Sequence, residues 1–451
     1  MNPVVRVLAI MAVLLLASAQ ADTRPARASL RAPARSAVQA QPASGEARDA
    51  PWPHFHGPRY DNSSPETGLL KTWPAAGPRL LWKYADCGHG FSSVTVADGL
   101  IYSAGDFDGD CMLFALRPDG ALAWKAQNGA AWMGAVSGSR STPTWNDGLL
   151  YHLNAHGRLA CFEARTGKPV WSVDLYKQYG LQRLAQFGYA ESVVVWEDKV
   201  FAMPGGAQGF VVALNKKTGA VLWECPNPGS DKASYCTPSL ADVNGVRQLL
   251  YLSYFRVLGV EAATGRMAWS ERHFPNAKHL TVLTVPPLYR AGMVFITAPY
   301  EEGAKCYRLN PDGKGLTEAW AHKNLDNEHS GVVIVGEHLY GFGGYRYPLK
   351  GWIKKEVAQG VLYCLELKTG KEEWSKPLGR CMLTAADGML YLRHELGDVY
   401  LLEASPKEPA LAGQFKLPET IGAASLNHPV IAGGRLYLRS LKTLYVYDVK
   451  N

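Results

Sequence analysis

Eight polar side chains stand where chemistry could be done: His89, Arg140, Tyr189, Glu191, Tyr235, Glu328, His329 and His428. Each lies at or just before a short segment that opens a repeating unit. Imidazoles, carboxylates and phenols gathered round one opening can bind a polar ligand, and Glu191 or His329 could carry a proton. No spacing among them is diagnostic of a reaction, so no catalytic residue is assigned. The alternative is a solvated rim whose polar groups satisfy backbone ends.

Other constellations exclude more than they offer. Asp106, Asp108 and Asp110 could offer oxygens to calcium, but they lack the glycine and terminal glutamate of an EF-hand loop. Gly341-Phe342-Gly343-Gly344 precedes no helix and no downstream acid, so it is not a dinucleotide loop. Pro204-Gly205-Gly206 reads as a turn between strands. There is no His-Glu-x-x-His and no nucleophile elbow. The eight cysteines have no zinc spacing, and no metal site is assigned. Cys225 and Cys236 flank one loop and are the best pair for a disulfide.

The elements that must position these residues repeat. A turn followed by apolar residues and usually an aromatic occurs eight times, from Asp98-Gly99-Leu100-Ile101-Tyr102 to Arg435-Leu436-Tyr437. A second phrase follows most copies: a short strand, a tight turn ending in Gly, another strand, and Trp. Arg165-Thr166-Gly167 before Trp171 and Lys217-Thr218-Gly219 before Trp223 show it well. The glycine supplies the positive φ of a tight hairpin. A period of roughly 40 to 55 residues matches one four-stranded propeller blade. The seventh copy degenerates, with Phe415 in place of Trp, and the eighth stops before its last strand. The segment from Gly77 to Lys83 is a lone last strand with its own Trp82, and it completes the eighth copy. The expected fold is therefore all-β: a single eight-bladed β-propeller over residues 51–451, its blades four-stranded and antiparallel, closed by the strand around Trp82. Trp82, Trp124, Trp171, Trp223, Trp269, Trp320 and Trp374 are expected to dock neighbouring blades.

The ends and exceptions carry further expectations. Arg6, the apolar run from Val7 to Ala17 and Ala19-Gln20-Ala21 predict a cleaved export signal over 1–21. Residues 22–50, rich in Ala, Pro and Arg, predict a disordered spacer. Export places the protein in the periplasm or outside the cell. No later stretch is apolar enough for a membrane helix. The net charge of +7 is scattered and does not argue for nucleic acid. An insertion from Tyr345 to Gln359 carries Lys350, Trp352, Lys354 and Lys355, and could be a lid, a partner contact or a tolerated surface loop. A monomer is expected.

The repeat also carries a resemblance. Ala213-x-Asn215-x-x-Thr218-Gly219-x-x-x-Trp223 resembles the tryptophan-docking motif of pyrroloquinoline-quinone (PQQ)-like propellers, Ala-x-Asp-x-x-Thr-Gly-x-x-x-Trp. Cys161, Gly259 and Cys364 stand at its Ala position elsewhere. Trp52-Pro53-x-x-x-Gly57-Pro58 and the run from Ser64 to Pro74 are similar to exported bacterial PQQ-binding-like repeat proteins. Those are related to the BamB-type outer-membrane assembly factor or to quinoprotein alcohol dehydrogenases. The resemblance covers residues 52–449. It implies either a scaffold binding a protein or polymer at its channel face, or a PQQ- and calcium-dependent alcohol or sugar dehydrogenase. Against the second, the chain lacks the adjacent cysteines such enzymes carry, and Trp132, which could stack on a flat cofactor, lies in a long D–A loop where Trp is more often a rim packing residue.

Overall fold

Strands B and C of each unit read as nearly continuous apolar runs because each blade is packed between two others. Val211–Asn215 and Leu149–Leu153 are buried along almost their whole length. In the last strand, such as Pro169–Asp174, much of the length is exposed. The computed structural model describes residues 51–180, 187–274, 282–344, 360–418 and 425–451. The expected leader, spacer and insertion, with Lys350, Trp352, Lys354 and Lys355, lie outside the described residues.

Blade 1 consists of strands A to D at Thr95–Ala97, Leu100–Phe107, Asp110–Leu116 and Leu122–Ala130. Six further blades repeat this order over 144–174, 194–225, 239–272, 288–322, 332–377 and 381–416. Blade 8 takes A, B and C from Val430–Ala432, Arg435–Ser440 and Thr443–Asp448, and D from Arg79–Tyr84. That last pairing is antiparallel, from Arg79 opposite Asp448 to Tyr84 opposite Leu444. The propeller therefore has eight blades, and the strand around Trp82 closes it. The B–C and D–A connections share one face, here the mouth; the A–B and C–D turns share the other, here the floor. No helix among the described residues is long and apolar enough to cross a membrane.

The D-strand tryptophans reach the next blade. Their indole N–H groups donate to C–D turn or adjoining carbonyls: Trp124 to Ala164 (3.0 Å), Trp171 to Lys216 (2.9 Å), Trp320 to Leu367 (2.8 Å) and Trp82 to Pro118 (2.9 Å). Gly167 and Gly219 lie against the rings of Trp124 and Trp171, where a Cβ would come within 2.5 and 2.7 Å. In blades 1 to 6 the residue directly opposite the ring on strand C is small: Ala115, Cys161, Ala213, Gly259, Cys306 and Cys364. A bulge lies beside the pair in each of these blades. Trp269 departs from this. Its N–H bonds Gln248 of its own blade at 2.9 Å, because Gly259 leaves room for the ring to settle inward.

This packing explains three of the eight cysteines. Cys161, Cys306 and Cys364 are small residues beneath indoles. Cys225 and Cys236, the candidate disulfide pair, are both free and buried. Cys225 packs in the core between blades 3 and 4, and Cys236 in the core between blades 4 and 5.

Two devices hold the inner ring. A strands are stitched by hydroxyls: the backbone N–H groups of Ser93, Thr142 and Ser192 donate to the side chains of Thr142, Ser192 and Thr237, each at 2.9 Å. The joint between blades 8 and 1 is held by Arg439, 1% exposed. Its guanidinium donates to the carbonyls of Ser92 (2.9 Å), Ala104 (2.6 Å), Cys87 (3.1 Å) and Leu441 (2.9 Å) and to Ser103 Oγ (2.7 Å). A buried cation normally needs a counter-ion; here a cage of neutral dipoles takes that place.

Arg439→Ala should strand these acceptors and cost about 3 kcal/mol or more of stability. Arg435→Ala, which removes a half-buried side chain of the same strand bonded to one carbonyl, that of Pro118 (2.8 Å), should cost less, about 1 kcal/mol. Urea denaturation of both variants checks the contrast.

Candidate functional site

The channel is closed at its floor. Residues 52–64 bond to the A strands of four blades. Trp52 exchanges backbone bonds with Val96, Trp145 N–H donates to Pro53, Tyr60 O–H donates to Val195 (3.2 Å), and Ser63–Ser64 pairs in parallel with Ala385–Ala386. Only a segment crossing the central channel can meet blades 1, 2, 3 and 7 in that order. It satisfies inward edges that would otherwise stand open. Trp52, His54, His56 and Asn62 are buried within it. His56, Tyr60 and Asn62 all hold left-handed φ angles, 68°, 57° and 59°, a strain that the surrounding contacts must sustain. The central space is thus a cup that opens at the mouth.

The eight expected rim residues fall into three groups. At blades 1 and 2, His89 exchanges backbone bonds with Asp106 at 2.8 Å. Arg140 lies near the rings of Phe91 and Trp132, 6.0 and 5.8 Å from their centres, and donates to Gly138 (2.7 Å), Ala135 (3.1 Å) and Val136 carbonyls. It thereby fixes a loop in which Val136, a β-branched residue, sits at φ 52°. Burial lowers the His89 pKa.

At blades 3 and 4, Tyr189, Glu191 and Tyr235 are all buried. Tyr235 meets Phe187 edge to face at 5.6 Å. Glu191 accepts from Met203 N–H at 2.8 Å through one oxygen, and its other oxygen has no partner among the described residues. Burial pushes its carboxyl up to about 8. The proton is therefore held in an apolar wall and is not presented to solvent.

At blades 5 to 8, Glu328, His329 and His428 come together. His329 Nε2 is 3.3 Å from Glu328 Oε1, and His428 Nε2 donates to the His329 carbonyl at 2.9 Å. The Glu328 carboxylate also meets Tyr300 (3.2 Å) and Arg380 (3.4 Å), and Arg380 pairs with Glu395. Burial alone would raise the Glu328 pKa; His329, Arg380 and Tyr300 overcome it and hold the group below its usual value. His428 is driven down to about 4 by burial and meets Asn62 of the floor segment. His329 is half-buried, whereas His428 is buried.

Sequence reasoning missed Tyr300, Arg380 and Glu395. Arg380 directly precedes the A strand Cys381–Ala386, the same position that marked the other rim residues, so the same criterion applied to blade 7 finds it. A broad depression lined by Pro51, Asp98, Arg117 and Arg165 lies on the floor face and includes none of these residues.

Comparison with known proteins fits this geometry. A family profile described as "Outer membrane protein assembly factor BamB" matches residues 65–206 and 113–376. The chain belongs to that family. Among solved structures, BamB from Moraxella catarrhalis matches with a TM-score of 0.57 at 12% identity, covering 82% of this chain and 99% of that one. Quinohemoprotein alcohol dehydrogenase from Comamonas testosteroni matches with 0.59 at 13% identity, covering 90% and 81%. At such identities these speak for the fold. Curated relatives match over shorter stretches. The dehydrogenase subunit of alcohol dehydrogenase (quinone) from Gluconobacter oxydans is 37% identical over 103 residues, which is 20% of this chain and 13% of that protein. Quinohemoprotein alcohol dehydrogenase ADH-IIG from Pseudomonas putida is 29% identical over 204 residues, 42% of this chain and 26% of its own length. The chain thus covers about a quarter or less of these relatives.

The BamB-type repeat does not by itself bring a quinone site, and the residues here do not fit one as they stand. Trp132 already contacts Arg140 and His156, and Gly188 is pressed against its ring. Asp106 accepts the Trp132 N–H at 2.9 Å and Asp110 accepts from Gln127 at 2.6 Å, while Asp108 sits at the hairpin tip between them. Among the described residues no three His, Cys, Asp or Glu side chains are disposed to hold a metal.

Glu191 makes a pH prediction. Its folded pKa of about 8 exceeds the ordinary 4.5, so the folded state binds the extra proton. Stability should fall as pH rises from about 4.5 to 8, and the slope from this group should end above about 8. Glu191→Gln should flatten that fall, so that its melting temperature exceeds wild type by more at pH 8 than at pH 5. Thermal melts across that range check it.

Proposed function

We propose that this propeller is an exported binding module that docks a protein partner on its mouth face. The observation that carries the reading is what that face displays. Met133 is 80% exposed, and Val136, Tyr176, Phe255 and Leu396 are also exposed, all on B–C or D–A connections. Exposed apolar groups on a face can mark an interaction surface, and Met133 is the most exposed large apolar side chain among the described residues. Around them the polar groups are largely engaged with one another, and the cup is shut below by residues 52–64. Arg140 further supports it by holding the Met133–Val136 loop in a strained, fixed shape, which lowers the ordering cost of association. The leader read over residues 1–21 supports placing the protein in the periplasm; fractionation of cells carrying the tagged full chain tests that placement.

The 29% identity to a quinohemoprotein alcohol dehydrogenase favours a second reading, a PQQ-dependent dehydrogenase. The two separate experimentally. Cross-linking in cells followed by capture should return a defined partner with the wild-type chain, and Met133→Ser with Val136→Ser should lose it while melting at the wild-type temperature. Addition of PQQ and calcium should leave the melting temperature unchanged and produce no dye-linked alcohol oxidation. Turnover with PQQ, or capture indifferent to the two substitutions, would replace the binding reading.

A further inference from the structure

The mouth end of blade 4 carries an uncompensated positive pair. Arg256 opens strand C at Arg256–Glu261 and Arg272 ends strand D at Met267–Arg272; the two stand directly opposite each other in the antiparallel register. Like charges at directly paired positions destabilise a sheet. Among the described residues neither arginine makes an ion pair. Arg256 donates to Ser270 Oγ at 3.1 Å, and Arg272 lies 5.9 Å from the centre of the Phe255 ring. Lys232, also without an ion pair there, lies 5.6 Å from the centre of Tyr254. The carboxylate within electrostatic reach of Arg256 is Asp231, which is buried and engaged elsewhere. Glu271 alternates to the other face of strand D.

The surface that bears these cations is fixed in advance. Asp231 accepts from Phe255 N–H (3.0 Å), Lys232 N–H (2.7 Å) and Ser253 O–H (2.5 Å). His273 bonds the Ser253 carbonyl at 2.9 Å from the far side. The Tyr254–Phe255 turn is thus pinned from two connections, with Phe255 37% exposed and its ring 4.6 Å from Tyr254, edge to face. A pinned turn that displays an aromatic ring between cations, at the cost of an opposed arginine pair, is arranged for an anionic and partly apolar ligand.

We propose that this end of blade 4 docks an acidic peptide segment of a partner protein. Its carboxylates bind across Arg256 and Arg272, and an apolar side chain packs on Phe255. The proposal rests on the protein-binding reading and names the chemistry of the partner. An extended peptide of alternating acidic and apolar residues presents both kinds of group to one face at intervals the patch can meet.

The probe is a fluorescently labelled peptide of alternating glutamate and phenylalanine, titrated against the full chain by anisotropy. Binding should weaken as salt rises, and the same peptide with glutamine for glutamate should bind at least about tenfold more weakly. Arg256→Ser with Arg272→Ser should weaken binding by a similar factor, with a melting temperature equal to or above wild type because the like-charge pair is gone. Equal binding by the double variant, equal binding of the glutamine peptide, or tighter binding of an acidic oligosaccharide than of the peptide overturns the proposal. The broader reading is judged apart: if the double arginine variant still captures the wild-type partner while the Met133/Val136 variant does not, the acidic-peptide proposal falls and the protein-binding reading stands.

Discussion

A closed ring of blades must join its last blade to its first, and here that joint depends on residues that precede the first blade. Arg79–Tyr84 supplies the outer strand of blade 8, and residues 52–64 cross to bond the A strands of blades 1, 2, 3 and 7. One stretch of chain therefore seals the ring from outside and from within. Arg439 adds the third hold, its guanidinium reaching from blade 8 into the carbonyls around blade 1. Without these, the joint would rest on the same contacts as any other seam while lacking the chain continuity that the other seams enjoy.

Elsewhere the ring is held by two repeated interactions at different radii. At the rim an indole caps the neighbouring turn, and a small residue, often cysteine, makes room beneath it. At the centre the hydroxyl of one blade accepts from a backbone N–H of the blade before it. The first buries a large apolar area with one satisfied N–H; the second satisfies backbone donors that face a channel too narrow for regular sheet pairing. Two seams depart from this: blade 7 offers Phe415 in place of an indole, and the seam between blades 4 and 5 differs in another way. Trp269 turns inward to Gln248, and it is blade 4 that carries the opposed arginines.

Much of the fold was legible because its cause is local and repeated. The Thr-Gly turns, the aromatic of strand B and the docking tryptophans recur at fixed offsets, and the missing last strand of blade 8 pointed to Trp82. The site was less legible. Side chains such as Glu191 and His428 do stand at the ends of A strands, but whether they face the cup or the wall depends on neighbouring blades. Glu191 turns into apolar packing and His428 sits against the floor. The segment 52–64 has no period and no strand pattern, so its path across the channel could not be read, although its dense turn residues and paired histidines were visible. Arg393 and Arg439 offered an unused signal: a charged residue within an otherwise apolar B strand. The Cys225–Cys236 pairing failed because proximity in sequence across a loop said nothing about which core each thiol enters.

The closing strand also orders events in time. Arg79–Tyr84 is made before blade 1, and its partner Thr443–Asp448 only after blade 7. Until that partner is made, the first strand has an unmet edge. Blades 1 to 7 can pack in sequence, yet the ring cannot close until residues 443–448 arrive. A chain interrupted anywhere before Thr443 would keep that edge open to other chains. Quality control thus falls naturally on a single late pairing.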